Sequence, residues 1–329
     1  MSTLAPTLQA FFTDRLAGQR QVSSHTIAAY RDTLKLLLAF AAVQTGKPPS
    51  GLDIADLDAP LIGAFLTHLE TERGNSARTR NARLAAIHSL FRYAALRHPE
   101  DAAVIQRVLA IPAKRFDRTV ITYLTEDEID ALLAAPDRDT WTGRRDHALL
   151  MLACQTGLRA SELTGLRISD VHLGSGAHVS CLGKGRRQRI TPLTASTVTV
   201  LRAWLAERGG LPEDPLFATR RGTPLSRDAL QRRVATHAAT AARSCPTLRE
   251  KTISPHVLRH SCAMTLLRSG VDVSVIALWM GHANLSTVQI YIHADMALKE
   301  QALARTAPRD APPGRYHPAD TVLAFLDGL

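Results

Sequence analysis

Residues 254–260 (SPHVLRH) set His256 and His260 four apart, the spacing at which one helix face offers two imidazoles to a metal ion. Two neighbours argue for different chemistry. Val257 stands where an H-E-x-x-H zinc hydrolase carries its glutamate base, and Arg259 would put a cation beside the metal. Cations and imidazoles together suit a phosphate, whose charge in a phosphoryl transition state spreads over several nonbridging oxygens. Such a grip needs more than one guanidinium. Arg159, in TGLRASEL, is a second candidate; the alternative for it is a surface ion pair, with Glu162 placed to orient it or to cap a helix. Lys184 lies between Gly183 and Gly185 in a chain that otherwise prefers arginine. Lysine can release a proton where arginine cannot, which makes Lys184 a candidate general acid. Tyr291, in MGHANLSTVQIYIH, adds a nucleophile: beside a clamped phosphodiester, a phenolic oxygen can attack phosphorus and hold a strand covalently.

These groups need helix ends and a tight turn to bring them together. Ser254 is a good N-cap and Pro255 suits the first helical position, so His256 falls in a first turn whose free N–H groups and dipole favour an anion. Gly157 ends a helix over about 145–155, and Arg159 stands at the start of the next, 160–166. Strand-like runs over 178–182 and 188–193 flank GKGRR and predict a β-hairpin with Lys184 at its tip. The adjacent Arg186, Arg187 and Arg189 suit a DNA backbone or plain solvation. Thr125 and Glu128 form a capping box that opens a helix through Leu133. Further helices are expected near 194–207, 226–243, 255–269, 272–280 and 285–292, with Gly281 closing one of them and His282 in the turn that follows.

Upstream the pattern is helical throughout, with segments near 6–17, 24–43, 59–72 and 77–97. The fourth carries Leu84, Ile87, Leu90 and Phe91 on a core stripe and leaves Arg78, Arg80, Arg83 and Arg92 largely outside it. That basic face is either solvated or laid against DNA phosphates. Residues 111–123 lose the helical period, contain a proline and several cations, and suit a linker. The expectation is a mainly helical protein with a small β-hairpin: a helical DNA-binding domain over 1–110, the linker, an α+β domain over 124–307, and a proline-rich tether with a short apolar segment over 308–329. Tether and plug could reach a neighbouring subunit or dock on their own domain.

Composition narrows the partner. A formal charge of +10 and a pI of about 9.9 point to a polyanion, nucleic acid before anionic membrane. The longest aliphatic run, residues 36–43 (LLLAFAAV), is far short of a spanning helix, and the first residues lack a secretory pattern, so the cytoplasm is expected and no membrane. Cys154, Cys181, Cys245 and Cys262 are scattered without a C-x-x-C pair, which argues against disulfides and cysteine zinc sites.

The series TGLRASEL, LGKGRR, HVLRH and MGHANLSTVQIY resembles the tyrosine recombinases, the phage-integrase and Xer group, in type, order and spacing. The resemblance covers about 124–295, and the helical first domain looks like the family's SAM-like core-binding domain. It implies that Arg159 and Arg259 clamp a scissile phosphate, Tyr291 attacks it, Lys184 protonates the leaving 5′ oxygen, His256 serves in proton transfer and His282 donates a hydrogen bond to the phosphate. His260 is assigned to structure. Met280 stands where leucine is common in the family, a volume-conserving swap. The implied protein is a DNA strand-exchange enzyme without metal or cofactor, acting on double-stranded DNA as a homotetramer, or as a heterotetramer with related recombinases. The long tail favours an integrase of a mobile element over Xer-type dimer resolution. A type IB topoisomerase and a non-catalytic DNA-binding regulator are the alternatives.

Overall fold

The computed structural model describes residues 4–116, 121–183 and 188–281. The chain divides into two compact units, Met1–Arg118 and Thr119–Leu329.

In the first unit, α1 (Leu4–Ala10) runs on into a π-helical segment, Phe11–Gln19. It is followed by α2 (Ser24–Thr45), α3 (Ala59–Thr71), α4 (Ala77–Ala94) and α5 (Ala102–Leu109). Local chemistry places the starts: Ser23, Asp58 and Ser76 each accept a hydrogen bond from a backbone N–H in the first turn of the helix they precede. Leu37, Ile62, Phe65, Ile87 and Phe91 are fully or almost fully buried in the core these helices share. The helix α5, only eight residues long after the break at His98–Pro99, was not separately expected; Ile105 and Val108 bury it against the same core. The expected linker is fastened at its beginning. Asn81 of α4 donates to the Lys114 carbonyl at 2.8 Å and accepts from the Lys114 N–H at 2.9 Å.

In the second unit the capping box at Thr125 and Glu128 opens α6 (Glu126–Ala134) as expected. Next come α7 (Trp141–Thr156) and α8 (Ala160–Gly165). Three antiparallel strands follow, β1 (Val171–His172), β2 (His178–Leu182) and β3 (Gln188–Pro192), in the order β1-β2-β3. The hairpin is the expected one, with Leu182 opposite Gln188 and Cys181 opposite Arg189; the two-residue β1, too short to carry an alternating pattern, is an addition. The unit continues with α9 (Ala195–Arg208), α10 (Arg227–Ala241), α11 (Pro255–Arg268) and α12 (Val273–Met280). Its main core holds Leu149, Leu152, Leu201, Trp204, Phe217 and Leu258. A second cluster joins Met264, Leu267, Ile276 and Met280, so α11 and α12 pack directly on each other. The expected segment 285–292, the tether and the apolar plug lie outside the described residues. Among the described residues, no helix is long and apolar enough to cross a membrane.

Candidate active site

The C-terminus of α12 organises the site. A helix ends with carbonyls that have no intrahelical partner and carry the negative pole of the dipole, so cations are stabilised there. Three arginines from three elements take three consecutive carbonyls. Arg189 of β3 donates from Nη1 to the Trp279 carbonyl at 2.9 Å, Arg259 of α11 donates from Nη2 to the Met280 carbonyl, and Arg159 donates from Nη2 to the Gly281 carbonyl at 2.9 Å. Arg259 also donates from Nη1 to the Gly157 carbonyl at 2.6 Å, which ties the end of α7 to the same point.

Two glycines make that approach possible. Gly157 ends α7 at φ +60°, and a Cβ there would come within 2.9 Å of Met280 Cε and 3.1 Å of Cys262 Sγ. Gly281 ends α12 at φ +60°, where a Cβ would lie 3.2 Å from Arg189 Nη1. Both positions need the left-handed conformation that glycine adopts at least cost. Met280 is fully buried and fills the notch over Gly157, a place for a long, unbranched side chain.

Glu162 is the shared counter-ion. It accepts from the Arg159 N–H at 2.8 Å and from Arg159 Nη1 at 2.8 Å, and its Oε2 also accepts from Arg189 Nη2 at 2.8 Å. Burial on its own would raise this carboxyl; the Arg159 backbone N–H, the Arg189 charge and the Arg159 side chain outweigh it and hold Glu162 below the usual carboxylate range. Of the two readings open for Glu162, orienting Arg159 and capping α8, it performs both. Arg159 retains 27% side-chain exposure, so it faces outward from a fixed seat, whereas Arg259 is only 4% exposed.

The histidine pair behaves unequally. Their rings lie 5.8 Å apart between centroids on α11, with Ser254 capping the helix through the Val257 N–H. His256 is exposed and His260 half-buried. Burial, reinforced by the nearby His256 and Arg259 charges, pushes His260 down to about 4, so it is neutral at pH 7. Among the described residues, no third histidine, cysteine or carboxylate joins the pair within ligand distance. The Cys262 thiol beside Gly157 is raised to about 12 by burial, which leaves it unreactive.

Of the expected site residues, Arg159, Arg259 and His256 lie in this region: the two arginines share the end of α12, and His256 sits one turn before Arg259 on α11. Lys184, Arg186, Arg187, His282 and Tyr291 fall outside the described residues. In the first unit, Arg78 lies over the Phe116 ring at 5.5 Å, Arg80 bonds to the Pro112 carbonyl and pairs with Glu70 at 3.8 Å, and Arg83 is half-buried. Arg80 is therefore engaged within its own unit. Arg189 departs from its sequence reading: it is 8% exposed rather than solvated or facing a backbone. The strand periodicity conceals this, because β3 turns Arg189 and Thr191 inward and leaves Ile190 60% exposed, the reverse of an apolar-in pattern.

Residues 122–297 match the phage integrase family, and residues 10–98 match the family's N-terminal SAM-like domain. The chain is a tyrosine recombinase of the phage integrase family. This tyrosine recombinase is 53% identical over 328 residues to a Sinorhizobium fredii protein carrying the integrase/recombinase designation y4rC, covering 100% of this chain and 99% of that one. It is 36% identical over 284 residues to the tyrosine recombinase XerC of Xanthomonas campestris pv. campestris, covering 86% and 83%. Its fold is also that of the Tn1549 transposon integrase solved with transposon right end DNA, at TM-score 0.68 and 17% identity over 92% of this chain and 99% of that one. The XerH recombinase bound to a palindromic difH substrate is similar in fold, at TM-score 0.66 and 23% identity over 87% and 81%. Tyrosine recombinases are site-specific DNA strand-transferring enzymes.

Proposed function

We propose that this recombinase cuts and rejoins double-stranded DNA through a 3′-phosphotyrosyl intermediate on Tyr291. The Tyr291 oxygen bonds to phosphorus as the bond to the 5′ oxygen breaks; Lys184 gives that oxygen its proton, leaving a free 5′ hydroxyl. The 5′ hydroxyl of a partner duplex then reverses the step. Arg159 and Arg259 carry the developing charge on the nonbridging oxygens, His256 moves a proton near the nucleophile, and His282 donates to the phosphate. The ester retains the cleavage energy, so neither ATP nor a metal is needed.

The observation that carries this reading is the seating of Arg159 and Arg259 on adjacent carbonyls at Met280 and Gly281, directly before His282 and ten residues before Tyr291 in the chain. Two guanidiniums held in place before substrate arrives are the requirement of a charge-stabilising site. Solved relatives of this fold in complex with DNA support the duplex partner, and a tetramer is the assembly in which two duplexes exchange strands. The integrase/recombinase designation of the 53% identical relative favours a mobile-element role over the chromosome resolution that a XerC relationship alone suggests.

The test is covalent trapping. On a nicked suicide substrate the wild type gives a detergent-stable protein–DNA adduct and Tyr291→Phe gives none; an undiminished adduct from Tyr291→Phe overturns the nucleophile assignment. Lys184→Ala slows cleavage of ordinary DNA but has little effect when sulfur replaces the leaving 5′ oxygen, since sulfur leaves without protonation. Equal losses on the two substrates remove Lys184 from that role.

A further inference from the structure

The β2–β3 hairpin meets the arginine frame at one rung. Cys181 of β2 and Arg189 of β3 are direct cross-strand partners, whereas Leu182, Gln188 and Ile190 beside them are exposed. Along the strands towards residues 184–187, that rung is the last with buried side chains. Cys181 joins the main core, while the Arg189 guanidinium donates from Nη1 to the Trp279 carbonyl at 2.9 Å and from Nη2 to Glu162 at 2.8 Å. The accepting Glu162 Oε2 also takes the Arg159 backbone N–H. Among the described residues, Arg189 is the only side chain of β2 or β3 hydrogen-bonded to α8 or to the end of α12. Gly281 leaves room for it, since a Cβ there would lie 3.3 Å from Arg189 Cδ. The hydrophobic effect does not account for this arrangement. A strand that buried Ile190 and exposed Arg189 would hide more apolar surface, and the present facing leaves Arg189 Nε and Thr191 Oγ1 buried without a hydrogen-bond partner.

We propose that Arg189 is a positioning residue for strand cleavage: it fixes the β2–β3 hairpin, and with it the general acid Lys184, against the frame that seats Arg159 and Arg259. The inference rests on the role given above to Lys184 and adds a residue that acts without touching DNA. Lys184 stands five positions before Arg189 in the chain, so the place of β3 limits what Lys184 can reach. A general acid has to meet the leaving oxygen at hydrogen-bond distance while other groups hold the phosphate, and a misplacement of about 1 Å costs on the order of 10²-fold. Apolar packing at Cys181 tolerates small sliding of the hairpin. A planar fork bonded to a carboxylate on one side and a helix-end carbonyl on the other does not, and lysine, without the fork, reaches one partner at a time. Glu162 thus becomes the point at which the clamp and the acid share one reference, through Arg159 on one hand and Arg189 on the other.

The test uses the full chain in excess over two nicked suicide substrates, one with oxygen and one with sulfur at the leaving 5′ position, and reads single-turnover cleavage. Arg189→Gln should cleave the oxygen substrate about 10²-fold more slowly than wild type but lose less than about fivefold on the sulfur substrate, because sulfur leaves without a proton. Arg189→Lys should fall between the two on oxygen. Added to Lys184→Ala, Arg189→Gln should slow oxygen cleavage by less than about threefold more, since the acid it positions is already gone. Equal losses of Arg189→Gln on the two substrates overturn the proposal, because a damaged clamp or a loosened fold slows both alike. A fully multiplicative loss in the double variant overturns it too. Should Arg189→Gln fail to fold, the oxygen–sulfur comparison on Arg189→Lys decides in the same way. Lys184→Ala separates this proposal from the reading beneath it. If sulfur does not rescue Lys184→Ala, the acid assignment falls and this proposal with it; if sulfur rescues Lys184→Ala but not Arg189→Gln, only the role of Arg189 falls.

Discussion

In the second unit Arg159, Arg189 and Arg259 sit on three successive carbonyls at the end of one helix, while in the first unit Arg15, Arg20, Arg92 and Arg97 border an open cleft without a carboxylate. The same side chain serves different ends in the two places. Guanidiniums anchored by carbonyls, and for Arg159 and Arg189 also by Glu162, lose little freedom when a phosphate arrives, so they suit a transition state that demands fixed geometry. Exposed ones keep their hydration and their rotamers. Any phosphate contact from such side chains is screened by salt and carries little precision.

The contrast is broken most directly at Arg259. Arg259→Ala should lower the rate of suicide-substrate cleavage by about 10³-fold, the order of magnitude for losing one preorganised charge stabiliser, while duplex affinity at moderate salt changes by less than about threefold. A variant that loses binding in step with cleavage would make Arg259 an affinity contact rather than a charge stabiliser.

Arg189 tests whether anchoring itself matters. Arg189→Leu removes one partner of a buried pair and leaves Glu162 with Arg159 alone, at an expected cost of about 3 kcal/mol in denaturant unfolding. An exposed arginine such as Arg92 should cost less than about 0.5 kcal/mol by the same measurement. Similar losses at the two positions would erase the distinction between the units.

The burial of His260 on α11, beside His256 and Arg259, also has a pH signature. His260 takes up its proton only near pH 4 in the folded chain, against about 6.5 when unfolded. Between those values the unfolded state binds more protons, so stability falls as pH drops from 6.5 towards 4, by up to about 3 kcal/mol at ~1.4 per unit. His260→Gln should flatten the part of the pH–stability curve that lies in this window. A curve unchanged by that substitution would mean that burial and the nearby charges do not depress His260.

Much of the architecture was legible because it rests on local chemistry. Thr125 with Glu128, Ser254 with Pro255, and the glycines at 157 and 281 mark helix ends whatever the rest of the chain does, since capping and left-handed backbone are properties of a few adjacent residues. The GKGRR turn between two short runs likewise announces a hairpin. The motif residues Arg159, His256 and Arg259 could be chosen by type and spacing. Less was legible where elements are short: β1, at two residues, exists because β2 offers it an edge, and α5 because Ile105 and Val108 find the helical core.

Sequence by itself thus determined the family, the order of helices and the hairpin, and which side chains could do phosphoryl chemistry, because each depends on neighbours along the chain. Tertiary structure alone decided where the arginines end up. Arg189, indistinguishable in sequence from Arg186 or Arg187, becomes a buried link because strand β3 turns it towards Glu162 and the Trp279 carbonyl. Arg15 and Arg92, seventy-seven positions apart, become one basic cleft because the π-segment packs against α4. A guanidinium's role is set by the carbonyls, carboxylates and solvent around it, and those arrive from distant parts of the chain only when it folds.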